Sequence, residues 1–120
     1  MKIAITTSGN DLKSALDQRF GRAQSFLIYD LEKESFTVID NKQNLSAAQG
    51  AGIQAAETIA DQDVDALLTG HCGPKAFRVL QAAGIKVYNT SAKTVQEALD
   101  LFKQNKLTEA KSADVEGHWS

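Results

Sequence analysis

The sequence predicts an α/β domain built on one mixed five-stranded sheet, and three observations support this. Apolar runs of strand length and apolar residues at helical spacing follow one another as strand, strand, strand, helix, strand, helix, strand, helix. Only Leu31-Glu32-Lys33-Glu34 separates the second strand from the third, so the two must form an antiparallel hairpin. Thr69-Gly70-His71-Cys72-Gly73-Pro74-Lys75 then joins an apolar strand to a helix through a glycine-bearing loop. Right-handed crossovers place three main helices on the sheet.

Ile3 and Ile5, with Ala4 and Thr6, make the first strand, which ends in the turn-prone Thr7-Ser8-Gly9-Asn10-Asp11. Leu12 to Gln24 lacks a clear period and reads as an ordered loop carrying Asp17-Gln18-Arg19-Phe20-Gly21-Arg22. Ser25 to Asp30 is the second strand, and Phe36, Val38 and Ile39 mark the third. After the polar link Asp40 to Gln49, Gly50-Ala51-Gly52-Ile53 runs into Ile59 and Ala60 as a helix with two glycines in its first turn. Each glycine costs about 1 kcal/mol inside a helix, which points to close backbone packing or a ligand at that end.

Val64 to Leu68 is a nearly continuous apolar run, as a central strand covered on both faces requires. Beyond the 70 to 74 loop, Phe77, Leu80 and Ala83 share a helical face, and Gly84 ends that helix. Ile85 to Tyr88 is the fifth strand. Thr94-Val95-Gln96-Glu97 matches a capping box, and Val95, Ala98, Leu99 and Phe102 form the clearest amphipathic stripe of the chain. The expected organisation is a domain over residues 1–107 and a loose polar tail over 108–120, which carries His118 and Trp119.

Composition narrows the function classes. The chain has 120 residues, 42% of them hydrophobic and 23% charged, enough for one ordinary core. A formal charge of −2 gives no general attraction for nucleic acid or anionic membranes. No apolar run approaches the roughly 20 residues needed to span a bilayer, and Met1 leads straight into a strand without a signal-peptide layout. A single cysteine forbids an internal disulfide and fits a reducing compartment, so a cytoplasmic protein is expected.

The 70 to 74 loop concentrates the chemistry. Gly70 and Gly73 allow close backbone approach, Pro74 suits the first turn of a helix, and the free amides of that turn face the loop. His71 and Cys72 are the candidate metal ligands, against the plainer readings of a loop hydrogen bond for His71 and a small buried hydrophobe for Cys72. Arg19 and Arg22, flanking Phe20, are candidates for charge pairing with an anion, or for ordering their own loop against Asp11 or Asp17.

Together, Asp17-Gln18-Arg19-Phe20-Gly21-Arg22-Ala23, Gly50-Ala51-Gly52, Gly70-His71-Cys72-Gly73-Pro74 and Gly84-Ile85-Lys86-Val87 resemble the dinitrogenase iron-molybdenum cofactor biosynthesis family. That family includes NifX-like carriers, the C-terminal part of NifB-like proteins and the orange protein. The resemblance runs from Met1 to about Leu107. It implies a three-layer ribonuclease-H-like fold and a non-enzymatic protein that binds or carries a metal-sulfur cluster containing molybdenum, iron or both. It also implies cofactor-assembly proteins as partners, with the chain a monomer or weak homodimer. The implied site comprises Arg19, Phe20, Arg22, Gly50, Gly52, Gly70 and Gly73 around the cofactor, with His71 and Cys72 on the metal.

Other classes fit less well. An ordinary iron-sulfur cluster or a structural zinc needs about four protein ligands. A Cys-His hydrolase lacks an orienting acid, and a nuclease would need carboxylates where the first strand has Thr6 and Thr7. Gly50-Ala51-Gly52 lacks the third glycine of a dinucleotide fingerprint. The remaining alternative is a metal-free regulatory or interaction module that binds a small anion or a partner protein.

Overall fold

The computed structural model describes residues 1–41 and 50–111. Within them the chain forms β1 (Lys2–Thr7), β2 (Ser25–Asp30), β3 (Ser35–Asp40), α1 (Ala51–Ala60), β4 (Ala66–Thr69), α2 (Pro74–Ala82), β5 (Lys86–Asn89) and α3 (Val95–Lys103). The sheet order is β3-β2-β1-β4-β5. β2 is antiparallel to both neighbours, while β1, β4 and β5 are mutually parallel. The expected mixed sheet, hairpin and three helices are therefore all present.

Side chains alternate across each strand, and the two resulting faces carry separate cores. On one face, Ala4, Phe26, Ile28, Leu67 and Val87 pack against Ala55 and Ile59 of α1 and Phe77 and Leu80 of α2. On the other, Ile3, Ile5, Leu27, Tyr29 and Leu68 pack against Val95, Ala98 and Leu99 of α3 and against Leu16. The result is three layers with the sheet in the middle. β1 and β4 at its centre are almost wholly buried, which accounts for their continuous apolar runs.

Helix ends follow their local chemistry. Thr94 caps α3 by accepting the Glu97 N–H at 3.1 Å, and Glu97 reaches back to the Lys93 N–H. Pro74 occupies the first turn of α2, and Gly84 beyond its other end takes φ +77°. One expectation needs correcting at α1. Gly50 stands outside the first turn as the N-cap, with φ +81°, so only Gly52 lies within the helix.

The polar end also departs from a simple tail. The Ala110 N–H donates to the Val87 carbonyl at 2.7 Å, and Glu109 bridges Tyr88, so these residues extend the β5 edge. His118 and Trp119, like the link over 42–49, lie outside the described residues. Among the described residues, no helix is long and apolar enough to cross a membrane.

Candidate functional site

β1, β4 and β5 are parallel and end at one edge of the sheet, so the loops that follow them, 8–24, 70–73 and 90–94, gather there. Each helix connects back from that edge, which puts the N-termini of α1, α2 and α3 on it as well. Gly50 and Gly73 are the N-caps of α1 and α2 and bring no side chain to cap them, so the positive ends of two helices lie on this edge.

Backbone contacts hold the first loop against the 70 to 73 loop. The His71 N–H donates to the Gln18 carbonyl at 2.7 Å, and the Phe20 N–H donates to the His71 carbonyl at 3.1 Å. Arg19 thereby forms a parallel bridge with His71, and both side chains are exposed. Asp17 supports the turn by accepting the Arg19 backbone N–H at 3.0 Å through Oδ1.

Two glycines make this approach possible. A Cβ at Gly70 would stand 2.6 Å from the Gln18 carbonyl oxygen and 2.7 Å from its Cα. A Cβ at Gly21 would stand 2.8 Å from both the Cα and the N of Gly52. The three glycine-bearing motifs that stand far apart in sequence thus meet at one place, with the first loop wedged between the starts of α1 and α2. The backbone of Gly52 lies directly against Gly21.

Two candidates turn the other way. Phe20 is 1% exposed and packs its ring 5.7 Å from that of Phe26, inside the core. It anchors the loop from inside the core. Cys72 is 2% exposed in the same cluster, and its Sγ lies 3.7 Å from the Gly73 carbonyl. The chain enters α2 there, and the thiol follows it inward while its neighbour His71 faces out. Among the described residues, no group of three His, Cys, Asp or Glu side chains could hold a metal ion. Arg22 is half-buried beside Gly21 and has interactions of its own.

Several polar residues that fix the site gave no motif in the sequence. The fully buried Thr6 hydroxyl donates to the Asp17 carbonyl at 2.6 Å and lies 3.0 Å from the Thr69 hydroxyl. The Asn89 side-chain amide donates to the Gly70 carbonyl at 3.0 Å. Asn41, fully buried, donates to the Ala23 carbonyl at 2.8 Å and closes the far end of the loop. Each is a short polar side chain at or just past the end of a strand, and that position is the signal that could have identified it.

A family model described as "Dinitrogenase iron-molybdenum cofactor" matches residues 1–105. An uncharacterized protein of Methanocaldococcus jannaschii is 32% identical over 110 residues, 89% of each chain. The apo form of the orange protein from Desulfovibrio gigas superposes with a TM-score of 0.92 at 38% identity, over 95% of this chain and 96% of that one. A NifB-like protein from Thermotoga gives 0.81 at 35% identity, over 95% and 98%.

Proposed function

Because the chain belongs to the dinitrogenase iron-molybdenum cofactor family, we propose that it is a non-enzymatic, cytoplasmic carrier of a metal-sulfur cluster or its precursor in cofactor assembly. The cargo would contain molybdenum, iron or both, and would be held at the carboxyl edge of the sheet. The observation that carries this reading is the backbone-clamped pair of exposed side chains, Arg19 and His71, beside the uncapped starts of α1 and α2.

The chemistry suits a preformed cluster. Such a cargo brings its own sulfides and a net negative charge, so it needs cations and N–H donors more than a full set of protein ligands. Arg19 supplies a planar fork of donors, His71 an imidazole, and the first turns of α1 and α2 their free amides. Arg22 is the second guanidinium of the reading. Gly70, Gly73, Gly50 and Gly52 contribute by shaping the backbone around the cargo. The buried position of Cys72 argues against surface ligation by its thiol and limits direct metal contact to His71. The strand order, with one antiparallel strand between β3 and β1, supports placing the domain in the ribonuclease-H-like class.

The test is anaerobic titration with thiomolybdate plus copper, and separately with an iron-sulfur precursor, followed by gel filtration, metal analysis and visible absorption. Co-eluting metal with charge-transfer bands is expected, with retention weakened about tenfold in Arg19→Gln, the scale of one charge-assisted hydrogen bond. Arg19 is exposed, so this variant should unfold within about 0.5 kcal/mol of the parent. No retained metal from either source would overturn the carrier reading and favour the metal-free module that binds a small anion or a partner. That reading takes its support from the buried thiol.

A further inference from the structure

α1 and α2 lie side by side on one face of the sheet, and a groove of about 450 Å³ runs between them. Ile53 of α1 and Val79 and Ala82 of α2 line it, and Lys75 and Arg78 of α2 complete the lining. Ile53 and Val79 are only partly buried, while Lys75, Arg78 and Ala82 are exposed. Lys75, Arg78, Val79 and Ala82 follow the i, i+3, i+4, i+7 spacing, so they form one stripe along α2 with cations at the N-terminal end and apolar side chains beyond.

We propose that this groove docks an acidic amphipathic helix of a partner protein. Helix-in-groove recognition uses an apolar strip for side-chain anchors and charges at the rim for orientation. Here the strip is Ile53, Val79 and Ala82, and the rim charges are both positive on a chain whose formal charge is −2. A partner with apolar residues at i, i+3 and i+4 and with Glu or Asp flanking them matches both features. A basic helix matches only the strip. The groove starts at Lys75, in the first turn of the helix that the 70 to 73 loop opens into, so an occupant would lie next to the His71 edge. Docking needs no cluster, so the proposal stands or falls separately from the carrier reading.

The experiment titrates the isotope-labelled full chain, without metal, with a synthetic helical peptide bearing Leu on one face and Glu on the other. The same peptide with Lys in place of every Glu serves as control, and NMR shifts and salt dependence are read. The expected result is shifts centred on Ile53, Lys75, Arg78, Val79 and Ala82, weakened by salt and absent with the Lys peptide. In Lys75→Glu/Arg78→Glu, affinity should fall about tenfold, the scale of two exposed ion pairs reversed in sign. Lys13→Glu, on the opposite face, should change nothing. Equal binding of the Lys peptide, unchanged affinity in the double variant, or shifts centred elsewhere would overturn the proposal. Saturation of the same residues by a simple fatty carboxylate, with no added affinity from the peptide, would also overturn it and assign the groove to a small amphipathic ligand.

Discussion

Replacing Gly70 with alanine should detach the first loop from the 70 to 73 loop. Gly70 does not hold a left-handed torsion, so its role is to leave space, and the space is taken by backbone. The new methyl would stand 2.6 Å from the Gln18 carbonyl oxygen and 2.7 Å from its Cα, where carbon contacts relax at about 3.5 Å. The two loops must therefore separate by roughly 0.8 Å. That displacement would take the 2.7 Å bond from the His71 N–H to the Gln18 carbonyl to the limit of a hydrogen bond, and break the 3.1 Å bond from the Phe20 N–H. Overpacking costs about 1–3 kcal/mol, and each weakened bond adds about 0.5–1.5. The lower chain entropy of alanine in the unfolded state returns about 0.4–1. A net loss of about 1–6 kcal/mol follows, centred on about 3, which at an m-value of about 2 kcal/mol/M lowers the urea midpoint by roughly 1.5 M. Hydrogen exchange at the His71 and Phe20 amides should accelerate at least about tenfold beyond the global effect. A loss below about 0.5 kcal/mol with both amides still protected would refute the packing argument.

Thr6→Val keeps the shape of a fully buried side chain while removing the hydroxyl that serves Asp17 and Thr69, and should cost about 1–3 kcal/mol in chemical denaturation. A loss under about 0.5 kcal/mol would mean that the buried pair contributes nothing. Thr94→Ala removes the α3 cap and should cost about 1 kcal/mol, seen as a lower melting temperature by calorimetry. Cys72 should react with an aromatic disulfide reagent at least about a hundredfold more slowly in the native protein than in urea, because attack requires the core to open; equal rates would place the thiol at the surface. The Asp30 carboxyl is held below its ordinary 3.8, chiefly by the Lys33 backbone N–H and further by that of Glu32. Its folded pKa lies below its unfolded one, so its contribution is present above pH 3.8 and vanishes as pH falls through the folded value. Urea midpoints of the parent and Asp30→Asn should differ at pH 7 and converge on acidification, and a constant gap would contradict this.

The fold was legible because period and order are read from residue type alone. The apolar run Phe26 to Tyr29 within Ser25 to Asp30, the four-residue turn before β3, and the stripe Val95, Ala98, Leu99 and Phe102 each point to one element. The site was legible as a set of motifs and illegible as a set of directions. His71 and Cys72 are adjacent, and nothing in their order says which faces out; the entry into α2 decides it. Phe20 sits in a polar run between two arginines, where the family resemblance puts it around the cofactor, and in the fold it is the apolar anchor that pins a loop with few other core residues. Asn41 and Asn89 are single polar residues just past and at a strand end, and their roles exist only once chain segments far apart in sequence have met.

The division between scaffold and surface at this edge has a functional consequence. Gly21 and Gly70 fix the first loop by backbone contact with α1 and with the residues after β4, and Thr6, Asn41 and Phe20 fix it from inside the core. At the junction the side chains of Arg19 and His71 are exposed. Under the carrier proposal, a loop ordered before its cargo arrives would lose little conformational entropy on binding, so less of the attraction would be spent on ordering it. The same separation means that, if the carrier proposal holds, exposed Arg19 can change to suit a cargo at less cost to stability than Gly70 or Thr6. Relatives that share this fold should on that proposal differ at the exposed Arg19 position before they differ at the buried Gly70 and Thr6 positions.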